Sequence, residues 1–254
     1  MSDKSSQQIV EPDFVEAVKT QFLFKLRAQY GIFSTMIIVQ LVAILFSFGE
    51  SSVGSGMNNI HIHSTGYAGN ILLFLTIAWA GMMGFRLTLK QSKDVMYTFV
   101  TDRKTNHLAN VLMIATLSIV GGVSAYLISF IFKITMYLWR GTDTLLFIEK
   151  PAVSFLLIGM VGTILYMMLV ASLAYFIGEI IQFHKVFVII VPVFILGMLI
   201  VSVNYGYMEW YSNILPYYIF EKNFIMFIVK TLSTSVIALF LAALIGQRLE
   251  VRRS

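Results

Sequence analysis

The sequence predicts an all-α integral membrane protein: six transmembrane helices preceded by an N-terminal amphipathic helix. Three observations predict it. Of the 254 residues, 58% are hydrophobic and only 12% are charged, whereas soluble domains carry roughly 25% charged residues. The apolar residues fall in continuous runs of about 20, the length that crosses roughly 30 Å of hydrocarbon, and not in the alternating segments of a membrane barrel. The basic residues gather beside the ends of those runs, so the formal charge of +5 is accounted for by membrane topology and not by nucleic acid.

The chain reads as one transmembrane domain over 1–254, because no polar stretch between the spans is long enough for an independent core. Residues 1–30 form a cytoplasmic tail and amphipathic helix, 31–247 a six-helix bundle, and 248–254 a short cytoplasmic tail. Pro12 opens the first helix, and Asp13 and Glu16 suit its positive end. Phe14, Val18, Phe22 and Leu26 fall on one face, with Glu16, Lys19, Thr20 and Arg27 opposite. Lys25 breaks the apolar stripe, which a snorkelling side chain tolerates. The expectation is a helix on the cytoplasmic membrane surface.

Six spans follow, near 31–49, 70–89, 108–132, 152–178, 185–204 and 224–247. Their orientation comes from the basic residues. Lys4, Lys19, Lys25 and Arg27 precede the first span. Arg86, Lys90, Lys93, Arg103 and Lys104 lie between the second and third, Lys185 after the fourth, and Arg248, Arg252 and Arg253 at the end. These thirteen stand against four in the opposite loops, Lys133, Arg140, Lys150 and Lys222. Basic flanks resist translocation, so both termini are expected in the cytoplasm.

The loops differ in character. Residues 50–68 read as a small, polar surface loop without a strong pattern. Residues 90–107 make a long basic loop with apolar Val95, Met96, Phe99 and Val100, suited to pressing a short helix into another protein. Glu179, Gln182, His184 and Lys185 read as a short inner turn, either solvated or a second contact to a cytoplasmic partner. Residues 205–223 hold Tyr205, Tyr207, Trp210, Tyr211, Tyr217 and Tyr218, with Leu215-Pro216 as a break, the composition of an element dipping into the outer leaflet.

Chemistry is sparse. No phosphate-cradling G-x-x-x-x-G-K-[ST] and no H-E-x-x-H occurs. With no cysteine there is no thiolate site. His61 and His63 lie in a loop without nearby carboxylates, which favours a solvated loop over a metal site. Gly122-Val123-Ser124-Ala125 has the look of a membrane serine-protease motif, but none of the four histidines falls within a predicted span to act as base. Lys230, inside the last span, faces the bundle as a pathway residue or snorkels to outer headgroups. The pairs Gly81 and Gly84, Gly121 and Gly122, and Gly159 and Gly162 read as packing surfaces where helices approach closely. Pro192 is expected to kink the fifth span.

In this layout the chain resembles the ABC-2 type family of ABC-transporter permease subunits, along essentially its whole length. The segment 93–103 followed by 106–111 is similar to the family's coupling helix and its return into the third span, although it lacks the proline often found near residues 101–102. Residues 211–218 are similar to its outer re-entrant helices. The resemblance implies a type V exporter-like transmembrane domain and an ATP-driven exporter divided between chains. A cytoplasmic ABC ATPase subunit would carry ATP and Mg, with no cofactor and no metal in this chain. A second permease subunit, identical or homologous, would complete the pathway for a hydrophobic or amphipathic cargo, such as a peptide, within membrane lipid. Lys93, Val95, Met96, Phe99, Val100, Arg103 and Lys104 would seat on the ATPase, with Glu179 and His184 beside them. The chain itself would not be an enzyme. A secondary carrier or channel without an ATPase, or a non-catalytic sensor or assembly subunit, is the alternative.

Overall fold

The computed structural model describes residues 14–48, 51–57, 60–66, 70–89, 103–140, 153–183 and 223–251. Among them are six helices and one hairpin: α1 (Phe14–Ala28), α2 (Gly31–Ser47), β1 (Ser51–Met57), β2 (Ile60–Gly66), α3 (Asn70–Arg86), α4 (Arg103–Arg140), α5 (Val153–Phe183) and α6 (Phe224–Val251). The predicted fifth span, the docking segment 90–102 and the outer aromatic segment up to residue 222 lie outside the described residues.

Among the described residues, three helices are long and apolar enough to cross a membrane: Lys104–Met136, Leu156–Gln182 and Phe224–Gly246. By length and composition they fit a helical membrane protein. Their outward residues, such as Ile225, Val229, Val236 and Phe240 on α6, are exposed and apolar, a surface suited to lipid and not to water. The helices α1 and α2 qualify as a further span only as a pair bent by 52°. The helix α3 has 17 residues, about 25 Å at 1.5 Å per residue, shorter than a full crossing.

The helix α4 exceeds the predicted span at both ends. Its 38 residues extend for about 57 Å, well beyond roughly 30 Å of hydrocarbon. Hydropathy marks only the lipid-buried part, while the backbone continues helical through Arg103–His107 and on to Arg140 because no proline interrupts either end. The far end is braced by Phe48, whose ring meets Phe132 and Trp139 edge-to-face at 5.4 and 6.4 Å.

The helix α5 is the centre of the bundle and packs against α3, α4 and α6, while α1 packs on α4 and α2 on α3. The core gathers Ile32, Met36, Trp79, Met83, Met113, Ile114, Leu117, Met167 and Leu239. Trp79 is fully buried, and its indole N–H donates to Thr35 Oγ1 at 3.1 Å, so the largest core side chain leaves no orphaned donor. Two of the predicted glycine surfaces carry backbone-to-backbone approach. A Cβ on Gly84 would overlap the Ala171 carbonyl, joining α3 to α5, and one on Gly122 would stand 2.9 Å from Ile164 Cα, joining α4 to α5. Gly162 differs: nothing lies within 4 Å of the position its Cβ would take.

The loop expected at 50–68 contains an antiparallel hairpin. Ser51 pairs with Gly66 and Met57 with Ile60, leaving Asn58-Asn59 between the strands. The signal was present as two short runs around two asparagines, residues that tolerate tight-turn backbone. The glycines and serines, poor strand formers, masked it.

Candidate functional site

At one end of the bundle, the start of α4 meets α1 and the ends of α5 and α6. The face of α1 that packs inward runs through Val18, Gln21 and Lys25, all buried, with Phe22 and Leu26 beside them. Spacings of three and four place these residues on one side of the helix. Phe14, predicted to share that face, is 47% exposed instead. The stripe is turned because α1 packs on the polar first turns of α4, which offer amides that an apolar surface cannot.

Lys25 is only 5% exposed. Its ammonium donates to Asn106 Oδ1 at 2.7 Å, to the Asn106 carbonyl at 3.4 Å and to Asn110 Oδ1. It therefore does not snorkel; its charge is solvated by two amide side chains one helical turn apart. The Asn110 amide nitrogen in turn donates to the Tyr175 hydroxyl at 3.1 Å. The same hydroxyl lies 3.3 Å from His107 Nδ1 and hydrogen-bonds Glu179, one turn further along α5. His107 also hydrogen-bonds the backbone at Leu239 of α6. A Cβ on Gly246 of α6 would lie in ordinary contact with Glu179 Oε2, at 3.7 Å, so α6 passes beside the carboxylate. One hydrogen-bonded chain thus joins α1, α4, α5 and α6. Next to it, the Gln182 side chain donates to the Thr88 carbonyl, tying the end of α3 to α5.

Buried polar groups are stable only when partnered, and a buried charge needs several good partners. An ammonium that donates to two amide oxygens and a backbone carbonyl, in a cluster that also holds a carboxylate, meets that need. The arrangement can hold helices in register or hand on a displacement. Ser124 bonds Gln40 and Met36 and stands on the same helix as His107, seventeen residues and about 25 Å away. His107 does lie within α4, but it stands too far along the helix to serve Ser124 as a base. Among the described residues no group of three or more His, Cys, Asp or Glu side chains gathers to hold a metal.

The predicted site residues fare unevenly. Glu179, expected in a solvated inner turn, lies inside α5 and is 2% exposed; it is not available to a docking partner. The physical reason is the length of α5, which stays helical to Phe183 where hydropathy ends the span. Lys104 is exposed at the start of α4, and Arg103 belongs to the same first turn. Lys93, Val95, Met96, Phe99, Val100 and His184 lie outside the described residues. Lys230 is half-buried on α6, two turns from the helix start, and its carbonyl accepts from Thr234 Oγ1 at 2.7 Å. Val18, Phe22 and Leu26 do pack on the bundle.

The sequence reading missed Lys25, Asn106, Asn110 and Tyr175 as one unit. Two signals could have found them: Asn106 with Asn110, and Tyr175 with Glu179, are polar pairs at i, i+4 near the ends of apolar runs, where polar side chains face the bundle interior. No family model, curated protein or solved structure matches the chain.

Proposed function

We propose that this chain is the membrane-spanning permease subunit of an ATP-driven exporter of the ABC-2 type, moving a hydrophobic or amphipathic cargo, such as a peptide, out of the cell. In this reading six spans cross the cell membrane with both termini in the cytoplasm, the polar junction lies at the cytoplasmic end, and a second permease subunit completes the pathway. A separate ABC ATPase binds Val95, Met96, Phe99 and Val100 and hydrolyses ATP with Mg.

The observation that carries the reading is the attachment of α1 to the first turns of α4 through Lys25, Asn106 and Asn110. In a permease of this kind the helix returning from the docking loop must pass its displacement to the rest of the bundle. A rigid α4 does so along its length, and the junction hands the same movement to α1, to Tyr175 and Glu179 on α5, and to α6. Packed elements with discrete polar contacts transmit such shifts as units.

The test is co-purification from native membranes of the wild type beside a Val95→Asp/Phe99→Asp variant. A cytoplasmic ATPase retained by the wild type and lost by the variant is the expected result. No ATPase with the wild type in several mild detergents overturns the proposal. A secondary carrier would then lead, since a buried chain of ionisable groups is the hallmark of proton and ion relays in membranes.

A further inference from the structure

The hydrogen bonds that meet at the Tyr175 hydroxyl need one hydrogen more than a neutral histidine and an ionised carboxylate supply. A phenol hydroxyl has one hydrogen to give and two lone pairs to receive. One lone pair takes the Asn110 amide N–H at 3.1 Å. One hydrogen and one lone pair then remain for two neighbours, His107 Nδ1 at 3.3 Å and the Glu179 carboxyl.

The far side of the imidazole fixes where its own hydrogen sits. His107 meets the backbone of Leu239, well inside α6, where each backbone N–H is spent on the carbonyl four residues earlier. The group left to His107 is the Leu239 carbonyl, which only accepts. Nδ1 faces Tyr175, so Nε2 carries a hydrogen and donates it to that carbonyl. A neutral ring then has a bare Nδ1. If Tyr175 gives its hydrogen to Nδ1, its second lone pair faces Glu179, and only a protonated carboxyl fills it. If Tyr175 gives its hydrogen to an ionised Glu179, that lone pair faces Nδ1, and only an imidazolium fills it. Both arrangements hold the same number of hydrogens. Tyr175 and Glu179 are each 2% exposed, so water does not make up a deficit, and an unmade bond at this depth is costly.

We propose that His107, Tyr175 and Glu179 form a binding site for one exchangeable proton, shared between the imidazole and the carboxyl. As the carboxyl passes its proton to the Tyr175 oxygen, Tyr175 passes its own to Nδ1, leaving a carboxylate and an imidazolium; the reverse shift restores the start. Loss of the shared proton sets two lone pairs against each other and breaks one of the two bonds by which Tyr175 ties His107 to Glu179. The proton is thus what joins α4 and α6 to α5 through the imidazole. Among the described residues, the charged groups on the surrounding elements are Lys25 on α1, Arg86 at the end of α3, Arg103 and Lys104 at the start of α4, and Arg248 and Glu250 in the last turn of α6. Lys25 is the one whose charge is felt at His107. The inference does not rest on the exporter reading, and its test involves no ATPase.

The purified full-length chain in lipid nanodiscs is prepared with isotope-labelled histidine, and His107→Gln assigns the His107 ring signals. About one pH unit above the ordinary imidazole value of about 6.5, magnetic resonance finds Nε2 of His107 protonated. In addition, either Nδ1 is protonated or the infrared spectrum contains a protonated carboxyl that Glu179→Gln removes. A bare Nε2, or a neutral ring together with an ionised Glu179, overturns the proposal. Thermal unfolding against pH gives a second reading. Above about pH 6.5 the unfolded chain holds no proton on this pair and the folded chain holds one. The folding equilibrium constant of the wild type therefore falls by up to about tenfold per pH unit as pH rises. In Glu179→Gln and in His107→Gln an amide N–H fills the open lone pair with no dissociable proton, so each loses that slope. Slopes equal to the wild type in both variants overturn the proposal, and if neither variant folds, the ring nitrogens of the wild type decide it.

Discussion

Replacing Asn110 by leucine tests the polar junction at its centre. The change removes an acceptor from the Lys25 ammonium and a donor from the Tyr175 hydroxyl. Hydrogen bonds to charged groups contribute about 1.5–3 kcal/mol each, and a neutral bond about 1 kcal/mol. Asn110→Leu alone should therefore destabilise by about 2–4 kcal/mol, because Lys25 is 5% exposed and cannot recover the lost acceptor from water. Lys25→Met removes the charge itself and places a methylene chain of similar length in the same space. With the charge gone, leucine at 110 leaves less unsatisfied, so the double variant should be less destabilised than the sum of the single ones. The expected coupling is about 1.5–3 kcal/mol, the upper part of the range for residues within one network. The assay is thermal unfolding of the purified chain in one detergent, followed by circular dichroism. For a chain of this size about 1 kcal/mol corresponds to roughly 2–4 °C in Tm, so Asn110→Leu should lower Tm by about 4–16 °C. Additivity within about 0.5 kcal/mol would refute the reasoning, since it would mean that the two residues do not act together.

Two further outcomes follow from packing and capping. The same substitution should have opposite signs at two glycines: Gly84→Ala forces a methyl into the Ala171 carbonyl and should destabilise by about 1–3 kcal/mol, while Gly162→Ala meets nothing within 4 Å and should stabilise by about 0.5–1 kcal/mol through lower chain entropy; thermal unfolding of the pair reads both. Asn223 Oδ1 accepts from the Ile225 N–H at 3.1 Å and reaches Met226 N–H at 3.5 Å, so Asn223→Ala should cost about 1 kcal/mol and raise amide exchange in the first turn of α6 ahead of the rest of the helix.

Much of the helical layout was legible along the chain. Long apolar runs without proline must hydrogen-bond internally in lipid, and helices do this within one segment. That is why α2, α3, α5 and α6 begin within a residue of where the apolar runs begin. The small-residue pairs were legible for a related reason, since a glycine beside a long side-chain run marks a backbone approach, as Gly84 and Gly122 make. The candidate site was less legible. Lys25 in the sequence is one cation among several near a span end, and Glu179 is one acid beside a basic turn. Both look solvated until the length of α5 and the docking of α1 are known.

The amino-acid sequence by itself determined the long apolar helices, because apolar content and run length depend on each residue's own transfer energy and need no partner. It also carried the two short runs of the hairpin, although weak strand formers hid the strands until their register was seen. Only the tertiary structure decided that Lys25, Asn106, Asn110, Tyr175 and Glu179 form one chain. Lys25 and Asn106 are 81 positions apart, and no local pattern specifies which distant amides will solvate a buried charge. That choice follows from how α1 rolls on α4, where burying an unpartnered ammonium would cost far more than turning Phe14 outward.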